Sequence, residues 1–314
     1  MNESTNKQHL SVVIPIFGCA MSIIELTKRI KYSIEGISPN FEIIYVNDRS
    51  LDNSWNIIGE LAKSDQRIKG VLLSRNFGQH AAITAGLEHS NGDWVIVMDG
   101  DLQDRPEEIP RLYEKATSGY ELVVAVRKNR MDSARKQISS RLFNYMMKKI
   151  SDSTLDHRVA NFGIYSRKVV NALLQMKEQT RTFALLAEWV GFTRMEIEVE
   201  HSTRKDGYSA YTFSKSLALA IETAIGFSSK ILRVIAVFGF VMSFVSFGVA
   251  FVTILRKVGD PSLQLGWTSI ITSIFLTSGL IVMVIGIVGL YIAKTFAETK
   301  NRPIYLVESM INVG

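Results

Sequence analysis

The sequence predicts an α/β domain followed by two membrane-spanning helices. Three observations carry this. Short apolar runs alternate with helix-period segments from Ser11 to Val126, the pattern of strands joined by crossover helices, within a domain expected to extend to residue 212. Two long stretches beyond residue 230 contain no charged residue at all. The segments flanking those stretches are basic. The chain has 314 residues, of which 47% are hydrophobic and 21% charged, so it is neither disordered nor collagen-like and can bury a sizeable core. Its single cysteine, Cys19, excludes an intramolecular disulfide and a four-cysteine zinc site.

The strands are expected at Ser11–Ile16 (SVVIPI), Phe41–Val46, Ile68–Leu73, Trp94–Met98 and Leu122–Val126, each a short apolar run rich in Val and Ile. Helix-period segments lie between them at Ser22–Tyr32, Ser54–Lys63, Gly78–Glu88 and Glu107–Thr117. Strand–helix alternation at this spacing implies a mostly parallel sheet. Residues 213–232 carry Leu217, Ala220, Ile221, Ala224 and Ile225 at helical spacing, which fits an amphipathic helix at a membrane interface or one packed on the soluble domain.

Val234–Leu255 reads VIAVFGFVMSFVSFGVAFVTIL, and Pro261–Ala293 is likewise free of charge. A helix needs about 20 apolar residues to cross about 30 Å of hydrocarbon. Spans are therefore expected at 233–256 and 267–293, with Trp267 and Tyr291 as interfacial anchors, a short external loop at 257–266 and a cytoplasmic tail at 294–314. Buried helices of a soluble bundle rarely go uncharged on every face for so long. Lys230 and Arg233, before and at the start of the first span, and Lys294, Lys300 and Arg302 after the second, place the catalytic domain and both termini in the cytoplasm by the positive-inside rule. Residues 1–9 are polar, and no signal peptide is expected. In the second span Gly279 and Gly286 offer a smooth seam for the other span or for a second subunit in a homo-oligomer.

Ligands of open α/β sheets bind beyond the carboxyl ends of the strands. The second expected strand is followed by Asn47-Asp48-Arg49-Ser50-Leu51-Asp52, and the fourth by Asp99-Gly100-Asp101-Leu102-Gln103-Asp104. Two carboxylates one residue apart can hold a hard divalent cation beside a pyrophosphate, or can simply shape an Asp/Gly turn. The sequence contains no GxxxxGK[ST], no GxGxxG after a strand, no HExxH and no GxSxG. The surplus of 36 basic over 30 acidic residues concentrates on the membrane flanks and on residues 127–149 rather than on one soluble face, so no nucleic-acid partner is expected.

On these motifs the chain resembles the membrane-associated family 2 glycosyltransferases that load a sugar onto polyprenyl phosphate. The stretches that carry the resemblance are SVVIPIF, EIIYVNDRSLDNS, LSRNFGQHAAITAGLEHSNGDWVIVMDGDLQDRPEEIP, GYELVVAVRKNRMDSARKQISSRLFN, NFGIYSRKVV, GYSAYTFSKSLALAIE and NRPIYLVE. Dolichol-phosphate-mannose synthases, polyprenyl-phosphate glucosyltransferases of O-antigen modification and the aminoarabinose transferase of lipid A modification all resemble this chain. NFGQHAAITAG and RKNRMDSARK look nearest to the last.

The resemblance implies a Rossmann-like GT-A catalytic domain at the inner membrane, a nucleotide-sugar donor, a polyprenyl (undecaprenyl) phosphate acceptor, Mg²⁺ or Mn²⁺, and inversion at the anomeric carbon. It places Asp99, Asp101 and Gln103 at the metal and diphosphate, and Pro15 and Asp48 at the nucleoside. Arg127, Arg135 and Ser139 fall at the acceptor phosphate. Arg204 lies in a loop closing over the donor, followed by Ser209, Tyr211 and Lys215. The arginine fork suits a phosphate, and Arg135 and Ser139 are an i,i+4 pair, although the basic face they belong to also fits solvent or anionic lipid.

Three positions depart from the family pattern. Asn47 stands where an Asp is usual, Phe17-Gly18-Cys19 replaces Tyr-Asn-Glu, and Asn161 occupies the place of an Asp that could serve as a base. Asn161 cannot take a proton. A phosphate acceptor, with a second pKa near ~6, is mostly dianionic at neutral pH and is already a nucleophile. The departures therefore favour a phosphate acceptor over a glycan hydroxyl; they also fit a non-catalytic membrane scaffold that has kept the fold.

Overall fold

The computed structural model describes residues 8–127, 159–179, 181–199, 230–259 and 266–313. They fall in two compact units. The first comprises residues 8–127, the described part of 159–199, and 302–313; the second comprises 230–259 and 266–301.

The first unit is built on an eight-stranded sheet. Its strands are β1 (Leu10–Ile16), β2 (Phe41–Asn47), β3 (Ile68–Leu73), β4 (Trp94–Val97), β5 (Leu122–Arg127), β6 (Val159–Ser166), β7 (Arg194–Val199) and β8 (Val307–Ile311). Across the sheet the order is β7-β5-β6-β4-β1-β2-β3-β8. The helices are α1 (Ile23–Glu35), α2 (Ser54–Ser64), α3 (Gln79–Glu88), α4 (Ile109–Thr117), α5 (Arg167–Gln175) and α6 (Phe183–Trp189). The five expected strands and four expected helices are all present, with ends shifted by a few residues.

The sheet is mixed rather than mostly parallel. β4-β1-β2-β3 are parallel, as are β5 and β7, but β6 runs antiparallel to both β4 and β5, and β8 runs antiparallel to β3. The two reversing strands lie outside the run of alternating strands and helices on which the parallel expectation rested. β1 and β2 are buried along their whole length, the continuous apolar pattern of strands covered on both faces. Ile23, Leu26, Ile30 and Ile34 form the buried stripe of α1 and join Leu10, Val12, Ile14 and Ile16 in the core. Truncating one of them, such as Ile30→Ala, removes about 2–5 kcal/mol of stability. On the other face, a Cβ at Gly86 of α3 would lie 2.2 Å from the Val13 Cγ1, so only glycine lets this helix settle on β1.

β8 follows the apolar helices in sequence and closes the β3 edge. Gly70 pairs with Ile311 and Leu72 with Ser309. The Asn312 amide nitrogen donates to the Ala62 and Ile68 carbonyls at 2.8 and 3.0 Å, and the Ser74 N–H donates to the Leu306 carbonyl at 2.9 Å. Covering an edge in this way also removes a template for unwanted strand pairing.

The second unit contains α7 (Lys230–Gly259) and α8 (Trp267–Thr299), of 30 and 33 residues. Lys230–Leu232, expected to end the juxtamembrane helix, belong to α7, and α8 continues six residues past the expected end of the second span at 293. Residues 213–229 lie outside the described residues. Among the described residues one stretch, Thr277–Thr299, is long and apolar enough to cross a membrane, with none of it buried; the apolar part of α7, Val234–Ser246, is shorter. Phe240, Phe244, Val282 and Ile285 are all more than half exposed.

Candidate active site

The carboxyl ends of β1, β2 and β4 lie side by side, and the segments leaving them enclose a cavity of about 270 Å³. Pro15, Cys19, Asp48, Gln79, Asp99 and Asp101 are among its walls. This is where an open α/β sheet binds ligands.

Asp99 and Asp101 leave β4 on a turn with two anchors. The buried Asp104 carboxylate accepts the Asp99 N–H at 3.0 Å, and the Asp101 carboxylate accepts the Gln103 N–H at 3.1 Å. The turn and the ligand readings of this motif are therefore compatible: Asp101 closes the turn and still lines the cavity. Leu102 pays a conformational penalty here, with φ +63 in the left-handed region, and its side chain is buried. Gly100 is squeezed between two supports. Its carbonyl accepts the Ser22 hydroxyl, and a Cβ on it would lie 2.6 Å from Ile16 Cδ1 and 3.2 Å from the Pro15 carbonyl oxygen. Gln79, in the first turn of α3, donates its side-chain N–H to the Asp99 Oδ1 at 2.6 Å.

Asp48 is buried and points at the loop before α3. One carboxylate oxygen accepts the Phe77 N–H at 2.7 Å, the other the Gly78 N–H at 2.9 Å. Burial pushes its pKa up; the two N–H bonds and Arg75 oppose this without cancelling it. Gly78 sits at φ +93, open to glycine and strained for any other residue. Asp48 thus shapes the cavity wall as well as contributing to it.

The loop after β2 also ties down the loop after β1. The Ser50 hydroxyl accepts the Gly18 N–H at 2.8 Å, and Asp52 accepts the Ala20 N–H at 2.9 Å. Burial raises the Asp52 pKa, but hydrogen bonds from Ser54, Ser50 and the Ala20 and Ser54 backbone outweigh it and hold the carboxyl below its ordinary range. Asn47 is fully buried; its oxygen accepts the Ser50 N–H at 2.8 Å and its amide nitrogen has no partner among the described residues.

Of the sequence-predicted residues, Pro15, Asp48, Asp99 and Asp101 line one cavity. Gln103 and Asn161 do not line it: Gln103 meets Asp101 through its backbone N–H, and Asn161 lies on β6. The antiparallel course of β6 carries residue 161 past the Val97–Gly163 pair, toward the carboxyl end of β4. Arg127 ends β5, opposite Val199. Arg135, Ser139, Arg204, Ser209, Tyr211 and Lys215 lie outside the described residues. Gln79 and Asp104 are additions that the sequence reading missed. Gln79 directly follows the third strand's loop and opens a helix, the kind of position searched after β2 and β4, so position alone could have flagged it.

A divalent cation is expected here, and the donor set fits one. Three carboxylates line the cavity; Asp48 gives its oxygens to the Phe77 and Gly78 N–H groups, which leaves Asp99 and Asp101 as the hard oxygen ligands, and among the described residues no group of three His, Cys, Asp or Glu converges as a closed protein cage would require. Mg²⁺ is characteristically held by one or two carboxylates together with substrate phosphates and water.

Comparison with known proteins bears on this arrangement. The family model for glycosyl transferase family 2 matches residues 11–174. The uncharacterized glycosyltransferase YkcC of Bacillus subtilis (strain 168) is 33% identical over 96% of this chain and 94% of its own. The undecaprenyl-phosphate 4-deoxy-4-formamido-L-arabinose transferase of Shewanella sediminis (strain HAW-EB3) is 33% identical over 99% of this chain and 95% of its own; that of Edwardsiella ictaluri (strain 93-146) is 32% identical over 100% and 98%. Among solved structures, glucosyl-3-phosphoglycerate synthase from Mycobacterium tuberculosis, in complex with Mn²⁺, uridine diphosphate and phosphoglyceric acid, matches with a TM-score of 0.51 at 15% identity, over 70% of this chain and 77% of that one, a likeness of fold.

Proposed function

The chain belongs to glycosyl transferase family 2, and on that footing we propose that it transfers a sugar, with inversion, from a nucleotide donor to undecaprenyl phosphate at the cytoplasmic membrane face. The observation that carries the reading is the convergence of Asp99 and Asp101 with Pro15 and Asp48 around one cavity at the strand ends. Near-full-length similarity to undecaprenyl-phosphate transferases supports the acceptor. The product would be a polyprenyl monophosphosugar for modification of a cell-surface glycan such as lipopolysaccharide.

In this reading Pro15 and Asp48 flank the nucleoside, and Asp99 and Asp101 hold Mg²⁺ or Mn²⁺. The ion, when bound, offsets the charge that grows on the departing diphosphate. Gln79 and Asp104 fix Asp99 from its side chain and its backbone. A phosphate oxygen of the acceptor attacks the anomeric carbon, forming the new C–O bond as the bond to the nucleotide breaks. The nucleoside diphosphate leaves with the electron pair. The nucleophile is already an anion, so no residue need remove a proton, which accommodates Asn161. Arg127, Arg135 and Ser139 are assigned to the acceptor phosphate, and Arg204, Ser209, Tyr211 and Lys215 to the closing loop.

The membrane part of the reading is that α7 and α8 both span. The exposed Phe, Val and Ile side chains around both helices would be costly in water. The course of the chain supports an even number of crossings: β8, which follows α8, pairs with β3 of the domain that precedes α7. One crossing would leave these strands on opposite sides of the bilayer.

The test is incubation of the purified full chain with labelled undecaprenyl phosphate and a panel of nucleotide sugars, with and without Mg²⁺ or Mn²⁺. A lipid-linked monosaccharide that forms only with metal, and that disappears in Asp101→Ala while the protein still inserts and folds, is the expected result. Full metal-dependent activity in that variant would remove the site assignment.

A further inference from the structure

We propose that β8 braces the donor loop from the sheet edge, with Glu308 as a positioning residue that acts through Arg49. The proposal rests on the reading of the cavity as the donor site.

Arg49 and Glu308 are 259 positions apart and form an ion pair. Arg49 occupies a sensitive point. It follows Asp48, which lines the cavity and holds the Phe77 and Gly78 N–H groups. It precedes Ser50, which holds the Gly18 N–H of the loop after β1. A change in its backbone angles would swing Asp48 and Ser50 relative to each other. Those angles are not ones an arginine prefers, since φ is +57. A non-glycine residue stays in the left-handed region only when its surroundings hold it there. Glu308 supplies such a hold from a rigid base. Its strand pairs with β3, and the strand's far end is pinned by the bonds from Asn312 to the Ala62 and Ile68 carbonyls.

Arg49 and Glu308 are 46% and 44% exposed, so solvent screens the pair and its effect on global stability is small. The consequence falls on loop geometry, and therefore on donor affinity. Only Lys300–Leu306 separates α8 from β8. The donor site would therefore be complete only once the chain beyond the last apolar helix has returned and added its strand.

The experiment uses the full-length protein in detergent. Glu308→Gln, Glu308→Arg, Arg49→Glu and the exchanged pair Arg49→Glu/Glu308→Arg are compared with wild type. The readouts are uridine diphosphate affinity with Mn²⁺, donor KM, kcat, lipid-phosphate KM and thermal midpoint. Each single variant is expected to raise donor KM about two- to fivefold. The kcat and the lipid-phosphate KM should stay at their wild-type values, and the exchanged pair should recover most of the loss. Unchanged donor KM in the single variants, with nucleotide still binding to wild type, overturns the brace alone. A loss that follows the thermal midpoint and is not rescued by the exchange also overturns it, because a merely structural role would behave so. If wild type binds no nucleotide in the presence of Mn²⁺ and transfers no sugar, the donor-site reading falls, and the brace with it.

Discussion

Gly100→Ala tests whether the backbone between Asp99 and Asp101 has any room to move. The added Cβ would stand 2.6 Å from Ile16 Cδ1, 3.2 Å from the Pro15 carbonyl oxygen and 3.5 Å from Ile14 Cγ2. The first contact is too close to persist. Its nearest atom is the tip of a side chain, but Ile16 is fully buried in the core and has little space to yield. The second is with strand backbone, which cannot rotate away. Overpacking of this kind costs about 1–3 kcal/mol, equivalent to a fall of about 2–12 °C in midpoint for a domain of this size. The other way to relieve the clash is to push residues 99–101 outward, against the Ser22 bond to the Gly100 carbonyl. Mn²⁺-dependent nucleotide binding should therefore weaken more than stability does. Ile16→Val removes the offending Cδ1 and alone costs about 0.5–1.5 kcal/mol. In the double variant it should restore part of the midpoint, giving a favourable coupling of about 1 kcal/mol. Calorimetric unfolding and nucleotide titration of the four proteins complete the cycle. Strictly additive effects, or a Gly100→Ala protein with wild-type midpoint and affinity, would refute the steric reasoning.

Two further outcomes follow from single residues. Burial, reinforced by Arg181, lowers the His80 pKa to about 4, and its Nδ1 accepts the Phe183 N–H. The folded state keeps this ring neutral while the unfolded chain protonates below about 6.5, so stability should fall as pH drops from about 6.5 to 4, by about 2 kcal/mol at pH 5. Unfolding at pH 7.5 and 5 should show that loss reduced in His80→Gln; an identical loss in both proteins would assign it elsewhere. Cys19 is the chain's one cysteine and lies on the cavity wall. The nucleoside diphosphate of whichever sugar donor proves active should, with Mn²⁺, slow its alkylation by a maleimide, followed by mass spectrometry, and equal rates with and without that nucleotide would place the donor elsewhere.

The legible part of the fold was local. Val- and Ile-rich runs gave β1 to β5, because a strand buried on both faces must be apolar throughout, and α1 to α4 announced themselves by spacing. The position of Asp99 and Asp101 beyond β4 followed from the same pattern. β6 was missed: it interrupts the alternation, and its direction is set by two neighbouring strands. β8 was missed because its partner, β3, lies over two hundred residues earlier. Gln79 and Asp104 were missed because each acts through Asp99, and a side chain's hydrogen-bond partner is not encoded in its own neighbourhood.

By itself the sequence determined the alternating core, the acidic strand end and the two uncharged stretches, since periodicity and charge are properties of contiguous residues. Tertiary structure decided which strand ends share one cavity, that Asp48 spends both oxygens on the loop before α3, and that the chain's last strand returns to the sheet beside β3. These depend on contacts between distant segments, whose geometry is fixed only when the sheet has set its order and register.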